Sequence, residues 1–328
     1  MFDIITIGSA LYDYFGEIAG GQVVKQPGSV SAPSLLGFGL DDKIPMENLR
    51  VKIGGAGINA AVVMAKLGLA VAPVVQVGAD SRGKNLVRYL REIGLDTSAI
   101  NIAAGQQTGL SFLIHDVLSR EHLSFNYKGA SDSLALAERS LPSSEWVYLS
   151  ALSGATWQED LDFLVKIPKT VAIAWNPGLV QLNEPEALLS LMARTEVLIL
   201  NHREAIRLLK ITDQKEMGDL RSVLKRLSDL GPRYVVLTQG DAGTSLYDGR
   251  RWYQVPLYRF ESIDATGAGD AFGATFVGGL IKQKDPVTAL KMGAINAGAV
   301  TRQWGAHEGL MRAEEIESHI DKIAVSEL

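Results

Sequence analysis

The stretch Asp264-Ala265-Thr266-Gly267-Ala268-Gly269-Asp270 holds a chemistry that few residue patterns allow. It follows an extended segment and opens an apolar, small-residue helix running toward Leu280. Gly267 and Gly269 let the backbone turn tightly, so the amides of Gly267, Ala268 and Gly269 point outward at a helix N-terminus. Such a turn binds a phosphate or a developing oxyanion. A carboxylate at the same turn, Asp270, stands where it could take a proton from a substrate hydroxyl. The competing explanation is that the glycines serve close packing and Asp270 caps the helix.

A second cluster, Lys52-Ile53-Gly54-Gly55-Ala56-Gly57-Ile58-Asn59, enters a helix of Ala, Val, Met and Leu. Gly54 and Gly55 would let a small ligand approach the backbone, and the Asn59 amide suits sugar hydroxyls. A glycine turn with Asn59 in a capping position explains the same residues without a ligand. Three more signals fall at predicted strand ends: Gly8 to Asp13, Asn201 to Glu204, and Thr238-Gln239-Gly240-Asp241-Ala242-Gly243. In an open α/β sheet ligands bind beyond the carboxyl ends of the strands, which places all three on one rim. Asn201 and Glu204 could hold magnesium-bound waters around phosphates, or simply form a capping box. Neither GxxxxGK[ST] nor a GxGxxG after the first strand occurs, so a nucleotide site here is built in another way.

Positioning these groups needs strands and helices in alternation. Apolar runs of strand length recur at Phe2 to Ile7, Val71 to Val77, Trp146 to Ser150, Val171 to Trp175, Glu196 to Leu200 and Tyr234 to Thr238. They do not alternate polar with apolar, the mark of strands covered on both faces. Between them lie segments of helical period, among them Arg82 to Ile93, Arg203 to Leu209, Pro286 to Arg302, and one with Leu220, Val223, Leu224 and Leu227 on a single face. The prediction is an α/β, doubly wound, mostly parallel sheet flanked by helices, with right-handed crossovers. Two regions break the alternation, Tyr14 to Arg50 and Gln106 to Lys128, the latter as two extended pieces around Ser119-Arg120-Glu121. A small β lid made of both, on a single domain spanning 1–328, is the expectation.

Composition narrows the function. With 32 Lys+Arg against 37 Asp+Glu the net charge is −5, which argues against nucleic acid as the main partner. No cysteine is present, so disulfides, thiolate nucleophiles, zinc-thiolate sites and iron–sulfur clusters drop out, and catalysis must use oxygen or nitrogen groups. The longest charge-free stretch, Thr97 to His115, is too polar for a bilayer span, and Met1 to Ile5 lacks the basic start of a signal peptide. A soluble, cytoplasmic protein with no membrane partner is expected.

Taken in order, these clusters resemble the ribokinase-like (PfkB) carbohydrate kinase family over nearly the whole chain. Its two signature regions are matched by Gly54 to Asn59 and Asp264 to Asp270, its NxxE motif by Asn201 to Glu204, and Trp175-Asn176-Pro177-Gly178 looks like the segment before the nucleotide half. The resemblance implies an ATP-dependent kinase acting on a primary alcohol of a sugar or sugar-like substrate, helped by Mg2+. Asp270 would then be the general base and the Gly267 to Gly269 amides the anion hole. Asp13, Gly54, Gly55 and Asn59 would bind substrate. Thr238, Gly240 and Gly243 would line the ATP phosphates and ribose, with Asn201 on the same side, and Asn296 and Trp304-Gly305-Ala306 would lie near adenine. Glu204 would support magnesium, and Asp264 a monovalent cation such as K+.

Some positions depart from the pattern. Ribokinases usually carry Lys at the place of Ala56 and a carboxylate near Leu149 to Gly154, which weighs against ribose, and Gly309 stands where some have Ser. A nucleoside kinase is the nearest alternative, with Tyr12, Tyr14, Phe38, Phe112 and Phe125 as stacking material. A non-catalytic sugar- or nucleotide-sensing protein is the alternative from another class. Lys128 could help bind a phosphorylated or carboxylated substrate, His115 and His122 fall in the lid, and the lid's exposed edges predict a homodimer.

Overall fold

The computed structural model describes residues 1–25, 34–118 and 122–328. The chain opens with β1 (Phe2–Ile7), β2 (Leu11–Ile18), a hairpin of β3 (Gln22–Lys25) and β4 (Ser34–Gly37), then β5 (Glu47–Gly54) and α1 (Ala56–Lys66). There follow β6 (Val71–Val74), β7 (Gln76–Gly78), α2 (Ser81–Glu92), β8 (Asn101–Ala103), β9 (Gly109–Asp116) and β10 (His122–Tyr127). Strands then alternate with helices, two of them between the second and third strand: β11 (Ser144–Leu149), α3 (Trp157–Val165), β12 (Ala172–Trp175), α4 (Leu179–Leu182), α5 (Pro185–Met192), β13 (Thr195–Asn201) and α6 (His202–Leu208). The last part holds α7 (Gln214–Gly218), α8 (Leu220–Ser228), β14 (Tyr234–Thr238), β15 (Thr244–Tyr247), β16 (Trp252–Val255), α9 (Ala268–Ile281), α10 (Pro286–Val300), α11 (Ala313–Glu317) and β17 (Ser326–Glu327).

Nine strands form the main sheet in the order β17-β16-β15-β14-β13-β12-β11-β1-β6. From β6 to β14 every pairing is parallel, and β15, β16 and β17 extend the sheet antiparallel. Along each parallel strand successive side chains enter opposite layers. Ile4, Tyr148, Ala174 and Ile199 join the core against α1, α2, α9 and α10, while Ile5, Val147, Trp175 and Leu200 join the core against α3, α5, α6 and α8. Both faces are dry, which is why these strands read as unbroken apolar runs. Helix starts follow their caps: the carboxylates of Asp80, Asp219 and Asp285 accept first-turn amides of α2, α8 and α10, and Pro286 stands at the first position of α10.

The lid is a separate four-stranded sheet, β10-β9-β2-β5, in which β2 runs parallel to β9 and antiparallel to β5. Its first segment begins earlier and ends later than the sequence suggested, at Leu11 and Gly54, because β2 follows β1 after a short turn. The hairpin β3–β4 forms its own two-stranded sheet and is not part of it. The expected turn at Ser119 to Glu121, and residues 26–33 of the first lid segment, lie outside the described residues. The run Val71 to Val77 also divides: β6 belongs to the main sheet, whereas β7 pairs with β8.

Candidate active site

The rim formed by the carboxyl ends of β1, β13 and β14 collects the predicted clusters, and α9 starts beside it. At that start Asp264, buried, uses both carboxylate oxygens. Oδ1 accepts the amide (3.1 Å) and hydroxyl (2.8 Å) of Thr266, and Oδ2 accepts the Gly305 amide at 3.3 Å. These bonds close the turn and tie it to the segment after α10. Gly267 caps α9 in the left-handed region at φ 78, and a Cβ there would lie 2.5 Å from the Cβ of Ala306. Gly267 is therefore required by backbone shape and by packing.

Gly269 is different, since a Cβ there would meet nothing within 4 Å. It faces a cleft lined by Thr238, Gly240, Gly243, Ala268 and Phe272. No protein contact demands glycine at this position, so the space it leaves open belongs to whatever occupies the cleft. One part of the predicted anion hole needs correction: the Ala268 amide donates to Ala265 O at 3.2 Å. Helix geometry leaves the neighbouring first-turn amides without intrahelical acceptors.

Asp270 follows in the first turn of α9. Asn59 Nδ2 donates to its Oδ2 at 2.7 Å. Burial pushes its carboxyl up to about 6, while the Asn59 bond and the charge of Lys128 pull the other way. Asp13, in β2, is pushed up to about 7, mainly by burial. The Ser111 hydroxyl opposes that shift, the charges of Asp270 and Asp264 add to it, and Lys128 again opposes it. Two carboxylates thus share one field, with Lys128 as the cation common to both.

Glycines of the second cluster hold Asp13 and α1 in place. A Cβ on Gly54 would come within 2.0 Å of Asp13 Oδ2, and Gly55 has φ 98 with Ser9 O where its Cβ would be. Ser9 caps α1, its hydroxyl accepting the Ala56 amide and its carbonyl the Gly57 amide, both at 3.1 Å. Asn59 was expected to face substrate hydroxyls, yet its amide bridges Asp270 and His307, with Oδ1 2.9 Å from His307 Nε2. His307 lies in no recognisable motif, and nothing in the sequence points to it.

On the other side of the cleft Asn201 pairs in register with Thr238. Asn201 and Glu204 form the capping box in full: Asn201 Oδ1 accepts the Glu204 amide (2.9 Å) and Glu204 Oε2 accepts the Asn201 amide (2.8 Å). Burial pushes the Glu204 carboxyl up, against those bonds. On the expected adenine side Asn296 and Trp304 are both engaged by the protein itself. Asn296 is wholly buried, donating to Thr275 Oγ1 (2.8 Å) and accepting the Met311 amide (3.0 Å), so its amide is consumed in tying α9, α10 and the segment before α11 together. Trp304 packs on the lid, with its ring centroid 5.6 Å from Phe15 and 5.2 Å from His115, and with Arg50 over its face.

The sequence model of the pfkB family carbohydrate kinases matches residues 35–312. The chain belongs to that family. It is 28% identical over 280 residues to a ribokinase of Haemophilus influenzae, covering 82% of this chain and 87% of that one. A 5-dehydro-2-deoxygluconokinase of Clostridium tetani is 27% identical over 301 residues, covering 84% and 87%. In fold it is similar to a Methanocaldococcus jannaschii nucleoside kinase of the ribokinase family, with a TM-score of 0.78, 22% identity and 98% of both chains covered. This kinase is accordingly an ATP-dependent phosphotransferase with an alcohol group as acceptor. One departure in its sequence has a structural counterpart: the segment Leu149 to Gly154 has no carboxylate, but Asp132, in the segment after β10, accepts the Ser153 hydroxyl and brings one there.

Proposed function

We propose that this kinase transfers the γ-phosphoryl group of ATP to a primary hydroxyl of a sugar held beneath the lid. Asp270 is its general base, and the first-turn amides of α9 with Gly267 and Gly269 are its anion hole. The observation that carries the reading is Gly269: the helix start that presents Asp270 also leaves open a cleft toward Thr238, Gly240 and Gly243 that the protein itself has no need of. Phosphoryl transfer asks for positioning and charge stabilisation more than covalent chemistry, so a base, aligned amides and cationic support suffice.

The acceptor side favours a sugar. Asp13 lies in a cross-strand row with Lys52, Ser111 and, one strand further, Asn126, whereas Tyr14, Phe112, Phe125 and Val51 form the adjacent row. Neighbouring rows project from opposite faces of a sheet, so the aromatic row turns away from Asp13. Tyr14 accordingly bonds Arg82 of α2 (3.1 Å) and stacks on Phe112. Polar groups around a carboxylate suit hydroxyls, with Asp13 accepting from two of them and Gly54 and Gly55 admitting them close to the backbone. Release of ADP with a panel of ribose, fructose, 2-keto-3-deoxygluconate, adenosine, cytidine and pseudouridine tests this. Turnover of nucleosides alone overturns the sugar assignment, and tight sugar binding without ADP from any acceptor would favour the sensing protein.

Glu204 would hold Mg2+ through water. Among the described residues no cluster of three or more His, Cys, Asp or Glu is gathered for a metal, and a single carboxylate beside the cleft fits an ion whose other ligands are water and phosphate. Bound there, the ion would offset phosphate charge. A monovalent cation at Asp264 would have to share that carboxylate with Thr266 and Gly305, and turnover in potassium chloride against tetramethylammonium chloride tests it. Val51, Phe112 and Phe125 expose 45%, 40% and 59% of their surface on the outer lid face, the support for a homodimer joined through the lids. The chain works as one domain in the cytoplasm, where ATP is supplied. No helix among the described residues is long and apolar enough to cross a membrane.

A further inference from the structure

Asn59 stands in the first turn of α1 with 5% of its surface exposed, and both ends of its amide are engaged. Nδ2 reaches Asp270 Oδ2 at 2.7 Å and Oδ1 reaches His307 Nε2 at 2.9 Å. His307, equally buried in the segment after α10, has its Nδ1 3.3 Å from the hydroxyl of Tyr89 on α2. The two rings lie nearly parallel, at 7°. Four groups from four parts of the chain therefore form one line, Tyr89, His307, Asn59, Asp270.

Valence decides the direction of every bond in that line. An ionised carboxylate only accepts, so Asn59 must turn its NH2 to Asp270 and its carbonyl to His307. That carbonyl only accepts in turn, so His307 carries its proton on Nε2. Its Nδ1 is then an acceptor, and Tyr89 donates to it. His307 touches neither Asp270 nor the cleft side of the base.

We propose that His307 is a positioning residue for the phosphoryl transfer: by donating from Nε2 to Asn59 Oδ1 it locks the Asn59 amide with its NH2 toward Asp270. The proposal rests on the reading of Asp270 as base. The two orientations of an amide are nearly equal in shape, so only a partner on the far side distinguishes them. Without His307 the amide can turn its carbonyl to Asp270. Two acceptors then face each other, and Asp270 keeps its proton where it should be receiving one.

The surrounding charges leave this effect readable. Asp270 is faced by Lys128 from the segment after β10, by Asp13 from β2 and by Tyr148 from β11. His307 is faced by Glu308, Lys66 and Lys52, and Glu308 pairs with Lys52 at 2.6 Å. Burial holds the imidazole down at about 4, so it stays neutral through the working range and its own titration does not overlap that of Asp270. Lys66 donates to the carbonyls of His307 and Leu310, at 3.0 and 3.2 Å, so the segment stays anchored when the ring is removed.

The test uses the full chain with aspartate labelled at the side-chain carboxyl carbon. The Asp270 signal is assigned by its loss in Asp270→Asn and followed by NMR against pH. In His307→Ala its midpoint should rise by about one unit. A one-unit rise from a midpoint near 6 lowers the ionised fraction about fivefold at pH 6 and hardly at all at pH 9. Turnover should follow that pattern with nucleotide KM unchanged. His307→Gln, whose NH2 can also donate to Asn59, should restore the original midpoint, and Tyr89→Phe should raise it by less. A midpoint unmoved in folded His307→Ala overturns the proposal; should that variant fail to fold, an unmoved midpoint in Tyr89→Phe does so. The NMR titration needs no turnover, so failure of the kinase reading, seen as no ADP from any acceptor with the wild type, is recognised separately.

Discussion

Adding one methyl group at each of the two glycines that flank Ala268 should produce opposite results. At Gly267 the backbone is left-handed, φ 78, and the new Cβ would lie 2.5 Å from that of Ala306, closer than carbon atoms approach. Left-handed strain of about 1–2 kcal/mol and crowding of about 1–3 kcal/mol predict that Gly267→Ala loses about 2–5 kcal/mol of stability. At Gly269 the residue is helical and the methyl meets empty space. Gly269→Ala should leave stability unchanged or raise it by up to about 1 kcal/mol, because glycine is the poorer helix former. It should nevertheless lower turnover by about 10²-fold or more, the order of effect seen when one anion-hole contact is lost, since the methyl occupies the cleft where phosphate oxygens meet the amides. Urea unfolding gives the first quantity and ADP release the second. A Gly269→Ala enzyme as stable and as active as the wild type would refute the placement of the transferring phosphoryl group at this turn. One that unfolds would show that the open space is a packing requirement after all.

Asp270→Asn keeps the shape of the base and removes its proton acceptance, so turnover should fall by about 10²- to 10⁴-fold with nucleotide affinity nearly unchanged; near-normal turnover removes Asp270 from the role. Asp13, raised to about 7 in the fold from an ordinary carboxylate value, binds its proton more tightly folded than unfolded. Its contribution to stability is thus full below about pH 4 and is lost as pH rises through 7, so Asp13→Asn should gain stability over the wild type at pH 8 and lose that advantage at pH 4. Thermal melts at the two pH values measure the crossover, and an advantage independent of pH counts against it. Light scattering should give a dimer mass, and Phe125→Lys on the outer lid face should shift it toward the monomer with acceptor KM changed little; a monomeric wild type with full activity speaks against assembly through the lids.

The sequence was most legible where a constraint is local. Continuous apolar runs mark strands buried on both faces, and that alone located β1, β12, β13 and β14 to within a residue or two. Glycine spacing located the start of α9 because a left-handed Gly267 leaves no other residue type room. Legibility ended where a role depends on a partner distant in sequence. Asn59 and Asn296 look alike as polar residues in small-residue helices, yet one bridges to Asp270 and the other is spent inside the core. Their partners, Asp270 and His307 for one and Thr275 and Met311 for the other, arrive only through the packing of α1, α9 and α10. The packing of Trp304 was illegible for the same reason, since the lid strand that brings Phe15 to it lies nearly the whole chain away.

The same long-range packing would suit Asp270 to the proposed role of base. Burial raises the Asp270 carboxyl toward the working pH, whereas full solvation would leave it a weaker acceptor. Its value near 6 is a balance between desolvation by α9 and its neighbours on one side, and Asn59 with Lys128 on the other. Asp13 is raised to about 7, where burial and the charges of Asp270 and Asp264 outweigh its Ser111 bond and Lys128. In the proposed reaction acceptor hydroxyls donating to Asp13 would favour its ionised form, with Lys128 the cation that faces both carboxylates. The carboxylate that binds the acceptor and the carboxylate that deprotonates it would therefore share one cation, Lys128, while the Asn59 amide serves Asp270.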